Sequence, residues 1–146
     1  MRSFLAVVAG IVVALVVQSA FGLAANMLYP PPPVADLMNL DQVAAAVGAR
    51  PIESLLIDVA GYFLGGLLGG FVGKRISRTA AGAWVPAIAL AAMAMVIAFN
   101  LPVPTWAMFA TLIAPLLGGL IANHLVKPAA AAPEEPLEEA HRVGNG

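Results

Sequence analysis

Four stretches of the chain are each long and apolar enough to cross a lipid bilayer, at residues 4–28, 52–73, 82–99 and 105–126. A transmembrane helix needs about 20 mostly apolar residues to cross roughly 30 Å of hydrocarbon. Only 10% of the 146 residues are charged, whereas about a quarter are charged in a soluble domain. The sequence therefore predicts an all-α integral membrane protein, a four-helix transmembrane bundle over residues 1–126.

The remaining composition argues against several classes of function. Seven Lys and Arg balance eight Asp and Glu, so there is no basic excess for binding nucleic acid. The chain has no Cys and two His, which leaves no thiolate and no metal cluster. Its Ser residues lack a nearby His and acid, and no phosphate-binding glycine loop is present. We expect no enzyme activity, no cofactor and no metal, and a disordered tail over residues 127–146.

Basic residues predict the orientation, because Lys and Arg are retained on the cytoplasmic side of a membrane. Only Arg50 falls in the first connection; the others lie at the N-terminus, in the second connection or in the tail, namely Arg2, Lys74, Arg75, Arg78, Lys127 and Arg142. This pattern predicts four spans in a bacterial inner membrane, with both termini cytoplasmic. A cleaved signal peptide is the alternative for residues 4–28, although that apolar run is longer than the usual signal core of about 7–15 residues.

The first connection, residues 29–51, is predicted to carry a short amphipathic helix on the outer surface. It opens with four consecutive prolines, which favour a polyproline II segment. Apolar residues then recur at helical spacing from Leu37 to Val47, with Asp36 or Asn39 as the N-cap and Gly48 as the C-terminal stop. We expect this helix to cover the bundle, with partner binding as the alternative.

Glycine repeats at four-residue spacing in the second span, which predicts close helix packing. Span four carries a similar ridge, and the residues assigned to packing are Gly61, Gly65, Gly69, Gly73 and Gly118. Such a ridge can pack inside one bundle or form the seam of a homodimer. Gly65→Leu would disrupt both arrangements, but only the dimer predicts a folded monomer.

Asp58 is the one acid set well inside a span, where a charge is costly unless it faces protein or water. Tyr62 lies one turn further on, so its hydroxyl could donate to the Asp58 carboxylate. The other polar candidates within the spans are Gln18, Asn26 and Thr111. We consider two roles for Asp58: a structural one, solvated or paired with Arg50, and one in moving protons or ions.

Three motifs resemble a group of small bacterial four-span membrane proteins that has no assigned activity. They are Met27-Leu28-Tyr29-Pro30-Pro31-Pro32, then Gly65-Gly66 through Gly73-Lys74-Arg75, and Pro104-Thr105-Trp106. The likeness covers about residues 4–126 and is loose in the third span. It implies four spans in a bacterial inner membrane and carries no catalytic residue across. That group often has a His-Pro pair before the late Trp, where this chain has Val103-Pro104.

These observations favour a non-enzymatic membrane assembly or scaffold component that packs with itself or with a membrane-protein partner. The alternative is a small proton- or ion-linked transporter, or a channel subunit, that uses Asp58. In support of the alternative, residues 64–67 and 117–120 match at one offset, and transporters often contain such internal repeats.

Overall fold

The computed structural model describes residues 2–36 and 38–127, and within them the chain forms five α-helices and no β-strand. They are α1 (Arg2–Leu28), α2 (Leu40–Gly48), α3 (Ile52–Ser77), α4 (Ala80–Asn100) and α5 (Thr105–Leu125). All except α2 are long and apolar enough to span a membrane. The predicted all-helical fold with four candidate spans is confirmed. The predicted disordered tail, apart from Lys127, lies outside the described residues.

The long helices begin and end close to the predicted boundaries, and α3 differs most. It continues one turn past residue 73, to Ser77, before Arg78 adopts φ 58° and ψ 20°. This left-handed conformation ends a helix, and the Arg78 amide donates to the Lys74 carbonyl at 2.7 Å. At the opposite end, α3 and α5 begin directly after Pro51 and Pro104, because the fixed φ of proline suits a helix start.

α3 is the central helix of the bundle and packs against α1, α4 and α5. α4 also packs against α1 and α5, whereas α1 and α5 do not meet. We call the end that carries residues 29–51 the linker end, and the end that carries the α3–α4 turn and the C-terminus of α5 the basic end. The outward faces expose bulky apolar side chains such as Val16, Phe99 and Phe109, as expected of helices that contact lipid.

The glycines of α3 lie inside the bundle, against neighbouring backbones. A Cβ atom at Gly69 would lie 2.6 Å from the Gly10 carbonyl oxygen, and one at Gly65 would lie 2.9 Å from the Ala14 carbonyl oxygen. Similar backbone contacts exist at Gly66, Gly70 and Gly73, and at Gly118 of α5, whereas Gly61 faces the side chains of Phe21 and Gln18. The ridge is therefore covered by helices of the same chain, which supports packing within one bundle. Because Gly65 is buried in this way, Gly65→Leu would disturb the fold itself.

Two prolines inside helices lie opposite glycines. Pro115 in α5 faces Gly66, and Pro86 in α4 faces Gly10, where a Cβ atom would lie 2.8 Å from the proline ring. Both prolines are fully buried, and each glycine leaves the space that the proline occupies. Helix α5 runs unbroken through Pro115, from Thr105 to Leu125.

α2 begins at Leu40, because Asn39, one of the two predicted caps, is its N-cap. The Asn39 side-chain oxygen accepts from the backbone amides of Asp41 at 3.1 Å and Gln42 at 3.2 Å. Asp36, the other predicted cap, instead accepts from the amide of Met38. Gly48 is the last helical residue and not a left-handed stop, since no glycine among the described residues has a positive φ.

Candidate functional site

Asp58 lies two turns into α3 and forms an ion pair with Arg50, the residue before Pro51. Arg50 Nη1 is 2.8 Å from Asp58 Oδ2, and the two side chains are 17% and 16% exposed. Arg50 also donates to Ser54 Oγ, from Nη2 at 2.6 Å and from Nε at 3.2 Å. The structure thus confirms the pairing of Asp58 with Arg50 that the structural role requires, and Ser54 is a partner that the sequence did not suggest.

The ion pair lies in the wall of a cavity of about 180 Å³ at the linker end. All four long helices contribute to its lining, together with the linker and the α4–α5 connection. Its polar lining residues are Gln18, Arg50, Asp58, Tyr62 and Thr111, and its apolar ones are Val47, Leu55, Ala94, Ile97, Ala98, Leu101, Val103 and Ala107. Four of the five polar candidates from the sequence are therefore brought together around one space.

Gln18 of α1 is the most unusual of these residues, because it is buried without a complete set of partners. The residue is only 9% exposed, and its Oε1 atom has no hydrogen-bond partner in the part of the chain that the structure describes. The amide reaches this position because Gly61 has no side chain; a Cβ atom there would lie 2.7 Å from Oε1. An unsatisfied buried acceptor costs about 1–3 kcal/mol. Because Oε1 itself has almost no accessible surface, the side chain would have to rotate before a donor in the cavity could reach this atom.

Tyr62 and Thr111 both carry hydroxyl groups and line the cavity, although Tyr62 is not in the predicted arrangement. The expected hydrogen bond between Tyr62 and Asp58 is not formed, since Arg50 holds the carboxylate and the Tyr62 ring packs in an apolar cluster with Leu90. The Thr111 hydroxyl lies 2.9 Å from the Ala107 carbonyl, to which it donates within α5.

Asn26 is the one predicted polar candidate that does not line this cavity. It is exposed and borders a separate groove beneath α2, lined by Pro31, Val34, Val43 and Ala46 among others. Arg50 contributes to both spaces. Gln18 and Asn26 are two turns apart on α1, and of the two only Gln18 lines the linker-end cavity.

A second polar cluster, at the basic end, was not predicted from the sequence. Lys74 is only 5% exposed, and its Nζ donates to the carbonyl oxygen of Asn123 and, at 2.8 Å, to Asn123 Oδ1. The sequence did contain a pattern that indicates burial of Lys74, because this residue directly follows Gly73 and lies one turn beyond Gly70 on a buried helix face. The partner is on another helix, 49 positions away in the chain, which no local pattern predicts.

The described residues contain no group of three or more His, Asp or Glu that could hold a metal ion. Comparison of the chain with protein-family models, curated proteins and solved structures finds no match. The resemblance to small bacterial four-span membrane proteins stays a prediction. The linker-end cavity and the basic end are therefore the two parts of the molecule from which function is inferred.

Proposed function

We propose that the protein is a small solute- or ion-linked membrane transporter or channel subunit, with its binding site in the linker-end cavity. One observation carries this proposal: a buried amide acceptor, an ion pair and two hydroxyl-bearing residues meet around one space between four apolar helices. Polar groups within transmembrane segments are costly, and they commonly mark the path of a substrate or ion.

The chemistry of the lining favours a small polar solute or a hydrated cation. Arg50 and Asp58 neutralise each other, so the lining of the cavity carries no net charge. Gln18 lines the cavity, and its unpartnered Oε1, once the side chain turned toward the cavity, would accept from a hydroxyl, an ammonium or a water that hydrates an ion. A volume of about 180 Å³ suits several waters or a solute of a few heavy atoms.

Access is favoured from the linker end. Arg50 belongs to the short segment between α2 and α3, and α2 makes no close backbone contact with any of the long helices. Moving this segment would therefore open the cavity without disturbing the glycine contacts of α3. A cation that approaches Asp58 would compete directly with the Arg50 guanidinium.

We further propose that the protein lies in a bacterial inner membrane with both termini cytoplasmic. In support, Arg50 is the one Lys or Arg at the linker end among the described residues, whereas the basic end carries five, namely Arg2, Lys74, Arg75, Arg78 and Lys127. This asymmetry matches the retention of basic residues on the cytoplasmic side.

Flux through reconstituted vesicles tests the transport proposal. Asp58→Asn keeps the shape of the side chain and removes its charge, so we expect proton- or cation-coupled flux to fall at least tenfold. Glu53→Gln is the matched control, because Glu53 is an exposed acid on the first turn of the same helix. If Asp58→Asn vesicles conduct like wild type, the cavity is structural and the proposal is wrong.

Assembly with another membrane protein stays a second prediction, with no surface assigned to it. The glycine ridge that suggested a seam is covered by α1, α4 and α5 of the same chain. A seam would have to lie on an outward face, where bulky apolar side chains serve equally well for lipid contact.

A further inference from the structure

The basic end contains a pocket whose lining is cationic. The pocket has a volume of about 420 Å³ and is lined by Lys74, Arg78, Ala80, Asn123, His124, Val126 and Lys127. No Asp or Glu lines it, and the ion pair found among the described residues lies at the opposite end of the bundle. The charges of Lys74, Arg78 and Lys127 therefore have no carboxylate partner in the part of the chain described.

Helix ends offset only part of this positive charge. The C-termini of α3 and α5 carry about half a negative charge each, against three full positive charges. The N-terminus of α4 acts in the opposite direction, since Thr79 gives it no side-chain cap and Ala80 lines the pocket. A net positive charge of about two and a half remains at this place.

Lys74 makes the imbalance significant, because it is buried. Its Nζ has two neutral oxygen acceptors, both from Asn123, and no anionic one among the described residues. Buried charges in proteins are normally paired. Arg78, in the left-handed conformation, ends α3, and α4 begins only two residues later. Because this turn is short, the Arg78 side chain lies at the same pocket as Lys74.

We propose that this pocket binds a phosphate group, supplied either by the headgroup of an anionic phospholipid or by a free phosphate compound. Basic pockets between transmembrane helices are suited to lipid headgroups. The pocket lies at the ends of three candidate spans, which is the level of the headgroups. This site is at the opposite end from the proposed transport cavity and does not depend on it.

The test uses the full chain in nanodiscs, with brominated phosphatidylglycerol or brominated phosphatidylcholine as the probe. Trp84, in the second turn of α4, reports lipid at the basic end, and Trp106→Phe removes the other Trp. We expect phosphatidylglycerol to quench Trp84 more strongly. Arg78→Gln and Lys127→Gln should each lower this preference about fivefold.

Arg75→Gln is the matched control. Arg75 is an exposed cation on the last turn of α3, but it lies over the Phe71 ring, 6.0 Å from its centroid, and not in the pocket. General attraction to an anionic membrane would respond equally to Arg75 and Arg78, and that result would overturn the proposal. A second result would also overturn the proposal. In it, both lipids quench Trp84 equally, and inorganic phosphate does not protect the protein against thermal unfolding.

Two other outcomes identify the source of the phosphate. Loss of the lipid preference on addition of inorganic phosphate, but not of chloride at equal ionic strength, would support a free phosphate compound as the ligand. The preference for phosphatidylglycerol could instead appear only after the tail glutamates are changed to Gln. That result would mean that the chain's own carboxylates occupy the pocket, and it would overturn the proposal. The tail glutamates are Glu134, Glu135, Glu138 and Glu139.

Discussion

Gly66 shows at the scale of one residue why α3 carries so many glycines. A Cβ atom at this position would collide with the backbone of Pro115, lying 2.7 Å from its Cα. Glycine destabilises a helix in water by about 1 kcal/mol relative to alanine. In a membrane, where lipid competes for apolar contacts, close approach of backbones gains more van der Waals contact than this loss.

Gly66→Ala is therefore expected to destabilise the bundle. The α5 backbone must move to admit the methyl group, and overpacking of this kind costs about 1–3 kcal/mol. Gly48→Ala is the control, because nothing lies within 4 Å of a Cβ atom at Gly48; it should be neutral or stabilise α2 by up to about 1 kcal/mol. Unfolding of the two variants in detergent micelles measures both effects, and equal changes would contradict the packing argument.

At the scale of elements, the four long helices were predictable and their polar contacts only in part. Runs of about 20 apolar residues specify a spanning helix almost regardless of context. The end of α3 was predicted too early because Lys74 was expected at the surface, and its burial depends on Asn123 of α5. The pairing of Asp58 with Arg50 was foreseeable, since both lie near the start of α3. The convergence of Gln18 and Thr111 on the same cavity depends on how α1 and α5 pack around α3.

The short helix α2 depends on its N-cap more than the long helices do. It has nine residues and no close backbone contact with the bundle, and isolated helices of this length are marginal in water. Asn39→Ala should therefore cost about 1 kcal/mol of local stability. Hydrogen exchange at Asp41 and Gln42 should become about fivefold faster. Asn39→Ser should retain slow exchange, and equal exchange in the Ala and Ser variants would contradict the capping role.

For the whole molecule, the separation of charge between the two ends makes orientation testable. The chain has no cysteine, so single cysteines report unambiguously. A membrane-impermeant maleimide should label Ala35→Cys, at the linker end, in intact spheroplasts. It should label Thr79→Cys, in the α3–α4 turn, only after lysis. Both positions are exposed, so failure to react cannot be attributed to burial, and the reverse pattern would refute cytoplasmic termini.

The central place of α3 has a consequence for how the protein is made. α1 packs on α3 and α4 and not on α5, so its face of small residues, Ala6, Gly10 and Ala14, has no partner until α3 emerges from the ribosome. At roughly 5–20 residues per second, the stretch from Leu28 to Ser77 takes about 2–10 s to synthesise. During that interval α1 must wait in lipid or beside the insertion machinery. The α4–α5 hairpin then completes the bundle, so co-translational assembly runs from the N-terminal pair of helices to the C-terminal pair.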